Sequence, residues 1–527
     1  MPLTWDLSNP AVAVSGVSPP SAASSSGHIP ISTPEVIDPS QPFEPADFDA
    51  EGVRTIITSP AYELRPRFTG RAQALGQLLE LTSKAFEARE LGFAVVIGEP
   101  GMGKSRMIGE LAARIRVEHP TTRLLQGVAD ENAHAYGPVA RALTARFGIA
   151  AGEDPQASRD KLAAELAEVI DSERLTEVAH LVAHLLRVPY EDSPVVAPLL
   201  GSPQRLEARL FMALRRFLAA ESERYPLVIV IENLELCGAD TINFVHYLAA
   251  GLRDHRVVII GTATDELMAR HPAFGQGEFT PVRIEIGPLL PGESEDLLRE
   301  LCKQLGEVPA VLTAHVRTMN GSPRAIYELM RLLLETGCIT REDHAWRIDH
   351  KALAGLALPR AYDDVVAARL RVLDPMERRI LEMAATVGDT SWFDAILALE
   401  RHGQLGADPD GPTLNQIAGS DDQSRQAVIK AIGRLVEYGW LIEVPASSIA
   451  GERELRFASA NLWSIVYHGI PDAVRCAYHA VMARWLELHP EGLSPSAQEE
   501  VARHLVLAGD AREAAHRFRR AAEAARG

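Results

Sequence analysis

The chain has 527 residues, of which 46% are hydrophobic and 24% are charged, so it is long enough for about three globular domains. Its net charge of −18 argues against broad electrostatic binding to DNA or to anionic membranes. The four cysteines lie far apart and form no C-x-x-C pair, which indicates neither a disulfide framework nor a zinc site.

A cytoplasmic location is expected, because no apolar stretch reaches the ~18 to 20 residues of a membrane span and no basic residue precedes Arg54, as a secretory signal would require. Lysine is rare among the basic residues, which is typical of a GC-rich bacterial genome. Residues 1–60 are rich in Pro, Ser and Ala and show no sustained period. They are predicted to be a disordered tail, because they cannot bury enough apolar surface to fold.

A single α/β core is predicted over residues 61–290. Five short β-rich runs alternate there with helical patterns, which favours an α/β fold with a parallel sheet covered on both faces. The runs are 93–97, 123–127, 227–231, 257–261 and 282–286. The long connection between the second and third runs is mostly helical, so a helical insertion is expected at about 135–222.

The first run leads directly into a G-x-x-x-x-G-K-S phosphate loop, and a helix is predicted after it. Glycines let backbone N–H groups curl around phosphates, the lysine reaches the β and γ oxygens, and the serine hydroxyl is a ligand for Mg²⁺. A helix N-terminus adds favourable positive charge. The candidate nucleotide-binding residues of this segment are Gly98, Glu99, Pro100, Gly101, Met102, Gly103, Lys104, Ser105 and Arg106.

Such a loop needs a second strand that ends in an acid on the metal side, and the run that ends in Glu232 and Asn233 is the good candidate. Glu232, with Ser105, is therefore the predicted Mg²⁺ site. Asn233 lies where a catalytic carboxylate is expected, and an amide cannot act as a base. Slow hydrolysis is predicted, unless Glu235 takes over this role.

Three further residues are candidates for contact with the nucleotide. Thr264 follows the next strand, where a polar side chain can sense the γ-phosphate. Pro323, in a Gly-Ser-Pro turn, is placed to lie against the base, and Arg324 can reach back to the γ-phosphate, since arginine suits planar phosphate contacts. The alternatives without a function are an ordinary strand end for Thr264 and a solvated helix N-terminus for Arg324.

The remaining segments are predicted to be mostly helical. Residues 291–345 form an all-α lid with a helical period up to Thr340, and residues 355–470 form a winged-helix region in which Asp374 caps a helix that starts with Pro375. Residues 471–527 contain an αα-hairpin like the first unit of a helical repeat. One such unit alone cannot bury its apolar face, so the hairpin is expected to continue into an array or to contact a protein partner.

In this order the motifs resemble the STAND branch of the AAA-related P-loop ATPases, close to the Orc1-like AAA_16 type of bacterial regulators. Residues 67–75, with Phe68 and Gly70, resemble that family's N-terminal motif, whose backbone lies near the adenine. The resemblance, over about 66–527, implies ATP as ligand, strand order 5-1-4-3-2, a lid with the G-x-P turn, a winged helix and TPR-like repeats. Ala72 and Ala74 replace the usual acids, and Asn233 replaces the second acid of the Mg²⁺ strand.

Three functions compete at this level. The favoured one is an ATP-dependent signalling switch or scaffold with slow hydrolysis, which binds a protein partner through its C-terminal helices and can self-associate in a nucleotide-dependent way. The second is a turnover ATPase that remodels a partner, which needs a working base and an arginine from a neighbouring subunit. The third is a winged-helix DNA-binding regulator, which the mixed charge of its candidate reading helix disfavours.

Overall fold

The computed structural model describes most of the chain beyond the N-terminal tail. The described residues are 66–129, 135–150, 153–188, 190, 193–276, 280–342, 345–405, 422–444, 447, 451–488 and 497–524. The disordered tail predicted for residues 1–60 lies outside them. All described residues belong to one compact unit, Glu44–Gly527.

The central element is a five-stranded sheet in the order β2-β3-β4-β1-β5, in which every neighbouring pair is parallel. This confirms the predicted fold class and strand order. Every residue of β1, β3 and β4 is buried, as expected where helices cover both faces of a parallel sheet. The strands are β1 Gly92–Ile97, β2 Arg123–Val128, β3 Leu227–Glu232, β4 Val257–Ala263 and β5 Val282–Glu285.

Helices cover the sheet through one apolar cluster on each face. One cluster joins the sheet to the first two helices, and the larger one joins it to the helices between β2 and β4. The connection from β2 to β3 is helical, as predicted. These helices are α1 Ala72–Ala88, α2 Lys104–Glu118, α3 Gly137–Arg146, α4 Pro155–Ala167, α5 Ser172–Leu185, α6 Pro203–Arg224, α7 Ala239–Gly251 and α8 Glu266–Arg270.

Three helices and a hairpin follow the sheet: α9 Pro291–Leu301, α10 Ala310–Thr318, α11 Pro323–Glu335, β6 Ile339–Glu342 and β7 Ala345–Ile348. The prediction of a helical period up to Thr340 is therefore wrong beyond Glu335, where α11 ends. The lid is for the same reason not all-α, because β6 begins at Ile339. Gly337 adopts a left-handed φ of 70° after α11, which ends the helix. The two strands are only four residues long, too short for a period of two to show clearly.

The next region combines helices with a three-stranded antiparallel sheet in the order β8-β10-β9. Asp374 caps α14 by accepting a hydrogen bond from the Met376 backbone N–H at 2.9 Å. Strand β8 was not predicted, and the winged-helix assignment stays a prediction. The elements are α12 His350–Gly355, α13 Tyr362–Val372, α14 Pro375–Val387, β8 Thr390–Trp392, α15 Phe393–Leu405, α16 Asp422–Glu437, β9 Leu441–Val444, β10 Glu454–Phe457 and α17 Ala460–Gly469.

The last three described helices are α18 Asp472–Leu488, α19 Ala497–Leu507 and α20 Ala511–Ala524. Helix α18 packs into the same apolar cluster as α14 to α17, and Trp485 stacks on Trp392 with ring centroids 5.8 Å apart. A domain boundary at 471 stays a prediction, and this shared core favours a later one. No helix in the described ranges combines the length and the apolar character that crossing a membrane requires.

Candidate nucleotide site

The loop between β1 and α2 needs its glycines for two different reasons. Gly101 and Gly103 have left-handed φ angles of 81° and 87°, which other residues adopt only with strain. A Cβ atom on Gly98 would lie 2.4 Å from the Ile286 carbonyl oxygen of the strand-5 connection. The loop then enters α2 at Lys104, so that free N–H groups of the helix start face the loop, as anion binding requires.

The Lys104 ammonium lies across the loop. It donates hydrogen bonds to the carbonyl oxygens of Gly98 at 2.6 Å and Glu99 at 3.3 Å. Burial lowers the pKa of Lys104, and the charge of Glu235, followed by those of Glu99 and Glu232, opposes this shift. The loop thus holds a buried cation with three carboxylates around it.

Ser105 and Glu232, the two residues predicted to hold Mg²⁺, lie in contact with each other beside the loop. The Ser105 hydroxyl donates to Glu232 Oε2, and the Gln126 amide donates to Glu232 Oε1 at 2.7 Å. Burial raises the pKa of Glu232, whereas the hydrogen bonds from Ser105 and Gln126 and the charge of Lys104 lower it. Adjacent hydroxyl and carboxylate oxygens are hard ligands that fit Mg²⁺.

Gln126 was not among the predicted site residues. It occupies β2 in register with Val230 of β3, two positions before the pair Val128 and Glu232. A polar side chain within a strand that crosses an apolar sheet is the sequence signal that could have identified it.

Asn233 is held by the sheet on both sides. It adopts a left-handed φ of 59°, a region in which asparagine is enriched, and its backbone N–H donates to Thr262 Oγ1 at 3.3 Å. Its side-chain amide donates to the Ala129 carbonyl oxygen at 3.2 Å. Asn233 therefore ties the end of β3 to the ends of β2 and β4.

Glu235 is a second buried acid close to the end of β3. It follows Glu232 by three residues in a short 3₁₀ turn and is only 7% exposed. Its Oε2 atom is buried without a hydrogen-bond partner in the described part of the chain. The Thr264 hydroxyl, at the end of β4, is a second buried polar atom without such a partner among the described residues.

The lid reaches the loop through the start of α11. The Arg324 backbone N–H donates to the Gly101 carbonyl oxygen at 3.4 Å, and Pro323 Cγ lies 4.0 Å from the Cβ position of Gly103. The Arg324 guanidinium stacks over the Tyr362 ring, 5.1 Å from its centroid. The structure thus places Pro323 and Arg324 in contact with the loop at Gly101 and Gly103.

The N-terminal motif is fixed to both the loop helix and the lid. Phe68 packs against the apolar cluster under α1 and α2, and Arg106 donates to the Pro66 carbonyl oxygen at 3.3 Å. The Arg71 backbone N–H donates to the Glu293 carboxylate at 3.0 Å. A Cβ on Gly70 would lie 2.7 Å from that same carboxylate, so this backbone passes directly beside α9.

This geometry places the loop after β1, an acidic strand end and the start of a lid helix that carries Arg324 at the carboxyl edge of one parallel sheet. Residues 67–260 match the family model of the AAA ATPase domain, AAA_16. The matched AAA ATPase segment contains the loop, Gln126, Glu232, Asn233 and Glu235, whereas Thr264, Pro323 and Arg324 lie beyond it. A search of curated proteins found no match.

Several solved structures resemble the chain at low identity. A STAND protein with a tetratricopeptide repeat sensor from Pyrococcus horikoshii is 14% identical, with a TM-score of 0.40 over 85% of this chain and 49% of that chain. The Orc1 protein of Aeropyrum pernix, solved with DNA, is 16% identical, with a TM-score of 0.33 over 78% of this chain and 95% of that chain. A Walker-type ATPase of Pyrococcus abyssi is 14% identical, with a TM-score of 0.30 over 77% of this chain and 99% of that chain. This chain spans about half of the length of the STAND protein.

Proposed function

We propose that the protein binds ATP with Mg²⁺ at the loop after β1 and acts as a nucleotide-dependent switch with slow hydrolysis. The observation that carries this proposal is the joint placement of Lys104, Ser105 and Glu232 at the loop. A buried cation there suits the β and γ phosphates, and the paired oxygens of Ser105 and Glu232 suit Mg²⁺.

The other site residues take roles around that centre. The backbone from Gly98 to Ser105 cradles the phosphates, with Arg106 holding the N-terminal motif beside it. Phe68 and Gly70 lie towards the base, together with Pro323. Thr264 and Arg324 sense the γ-phosphate, and Asn233 joins the strand ends beside the site, with an amide that cannot take a proton from water.

The switch is proposed to act through the lid. One end of α11 touches Gly101, and the other end contacts the C-terminal region, where Arg331 donates to the Gly439 carbonyl oxygen at 3.0 Å. A phosphate that changes the position of the first turn of α11 therefore acts on a helix that packs against both regions. We propose that the C-terminal helices, as TPR-like hairpins beside a winged helix, bind a protein partner, with nucleotide-dependent self-association as a further outcome.

One observation favours the second candidate, a turnover ATPase. The buried, unpaired carboxylate oxygen of Glu235 is a group that can hold and activate a water molecule. In that case hydrolysis is faster than the amide at position 233 alone would allow, and the chain couples turnover to remodelling of its partner.

The test of ATP binding is the substitution Lys104→Ala in the full chain. It removes the main positive charge at the loop, so ATP affinity is expected to fall at least tenfold, or about 1.4 kcal/mol. Titration with a fluorescent ATP analogue in the presence of Mg²⁺ measures this. Lys84→Ala, on the exposed side of α1, is the matched control and should bind as the wild type does. Equal binding by the Lys104 variant and the wild type would refute the proposal.

A further inference from the structure

A cavity of about 190 Å³ lies where the phosphate loop meets the lid and the region that follows it. One wall consists of Pro100, Gly101 and Met102 of the loop. The opposite walls come from three separate segments: the turn before α11, residues 360–362 at the start of α13, and Asn461 at the start of α17. The cavity therefore borders the proposed nucleotide site at the loop.

The charges around this cavity are of one sign. Arg324 and Arg360 both line it, and among the described residues no acidic one does. The Arg324 guanidinium stacks on the Tyr362 ring, and in the described part of the chain neither this guanidinium nor that of Arg360 forms a hydrogen bond or an ion pair. Glu328, one turn along α11, interacts electrostatically with Arg324, but it already forms an ion pair with Arg369.

Arginines without carboxylate partners beside a phosphate loop have a clear chemical preference. The guanidinium presents a planar fork of N–H donors that matches phosphate oxygens in a bidentate way. The amide groups of Asn320 and Asn461 and the Ser322 hydroxyl line the same space and can donate to an anion as well. Only Arg324 of this group was predicted from the sequence.

We propose that Arg360 is a second phosphate-binding arginine, which contacts the terminal phosphoryl group of a nucleotide bound at the loop of the same chain. This inference rests on the proposed function and extends it, because it assigns a ligand contact to the segment that follows the lid. A phosphoryl group held between Arg324 and Arg360 links the loop, α11 and α13 through one charge. Arg360 thereby determines whether the chain discriminates ATP from ADP.

The test is Arg360→Ala in the full chain, titrated separately with ATP, ADP, and ADP plus inorganic phosphate. The affinity for ATP is expected to fall about tenfold, the value of a charge-assisted contact, while the affinity for ADP changes less than about twofold. If the cavity also takes free phosphate after hydrolysis, added phosphate tightens ADP binding in the wild type and not in the variant. Arg360→Lys keeps the positive charge but lacks the planar set of N–H donors, so its ATP affinity should lie between those of the wild type and of Arg360→Ala.

The matched control is Arg371→Ala, because Arg371 is exposed on α13, the helix that follows Arg360, and donates to the Ala367 carbonyl oxygen outside the cavity. It should leave all three titrations unchanged. Equal ATP and ADP losses in Arg360→Ala, or no loss, would overturn the inference while the Lys104→Ala result still supports ATP binding. If Lys104→Ala leaves ATP binding intact, the proposed function fails first.

Discussion

At the residue scale, the end of β3 departs from what a standard hydrolysis site requires. The amide of Asn233 is engaged with the Ala129 carbonyl oxygen, so a carboxylate placed there would face another oxygen. The free acid is Glu235, whose charge is the largest opposing influence on the pKa of Lys104. The acid that could take a proton from water therefore lies three positions after Glu232, whereas the amide at position 233 joins strands.

This arrangement gives a prediction for Glu235→Gln. The substitution keeps the size of the side chain but removes its ability to take a proton, so any ATP turnover should fall by about 10² to 10⁴. ATP affinity should stay the same or rise, because a negative charge near Lys104 is lost. Single-turnover phosphate release with excess enzyme measures the rate.

Glu266→Gln is the control for this experiment, since Glu266 is exposed on α8 and pairs with Arg270. Turnover that survives Glu235→Gln unchanged would show that Glu235 is not the base. Asn233→Asp is not expected to compensate, because the variant loses the hydrogen bond to Ala129 and leaves that carbonyl without its donor.

At the scale of elements, the packing of α18 against α19 contains a buried histidine pair. His479 Nδ1 lies 2.8 Å from His504 Nδ1, and the Tyr467 hydroxyl lies 2.9 Å from His479 Nε2. Burial, with the charge of Arg475, lowers the pKa of His479 to about 4. Burial, with the charges of His479 and Arg503, lowers the pKa of His504 to about 3.

These shifts predict that acid loosens the C-terminal helices. The unfolded histidines take up protons below about pH 6.5, whereas the folded pair stays neutral down to about pH 4. Stability is therefore fully present above about pH 6.5 and is lost as the pH falls from there towards 4. Hydrogen exchange of residues 497–507, compared at pH 7.5 and pH 5.5, should show loss of protection in acid.

A variant separates this effect from general acid sensitivity. His504→Gln removes one titrating ring, so the change in protection between the two pH values should shrink. His516→Gln, at an exposed position on α20, should keep the wild-type response. An acid response that is identical in His504→Gln and in the wild type would contradict the role of the pair.

At the scale of the whole molecule, a buried ion cluster connects the lid with the C-terminal region. Arg369 of α13 is fully buried and pairs with Glu328 and Glu335 of α11. Its guanidinium also donates to the Tyr438 carbonyl oxygen at 2.9 Å and lies 4.2 Å from the centroid of the Trp440 ring. One side chain thus joins α11, α13 and the turn that precedes β9.

The substitution Arg369→Ala is expected to be strongly destabilising. It leaves two buried carboxylates without their main partner, which costs about 3 to 5 kcal/mol for a buried ion pair broken on one side. Denaturation followed by tryptophan fluorescence should report the loss, since Trp440 packs on Arg369. Arg371→Ala, at an exposed site on the same helix, should stay within about 0.5 kcal/mol of the wild type. A similar small change in both variants would show that the cluster does not hold these elements together.

The sequence by itself determined the sheet and the loop. The apolar runs, the G-x-x-x-x-G-K-S spacing and the run ending in Glu232 depend on local periodicity and on glycine conformation, which neighbouring residues in the chain already express. The same local signals predicted the helical insertion and the cap at Asp374. The β6–β7 hairpin and β8 were missed because runs of three or four residues carry too little periodic signal.

Only the tertiary structure decided which polar residues meet. Gln126 on Glu232, Glu235 near Lys104, Arg360 beside the loop and Arg369 in its buried cluster are brought together from positions far apart in the chain. For the charged residues among them the sequence gives no sign of burial, because charged side chains are usually solvated. Burial and the pairing of distant segments give these side chains their chemistry, and both follow from how the helices pack over the edge of the sheet.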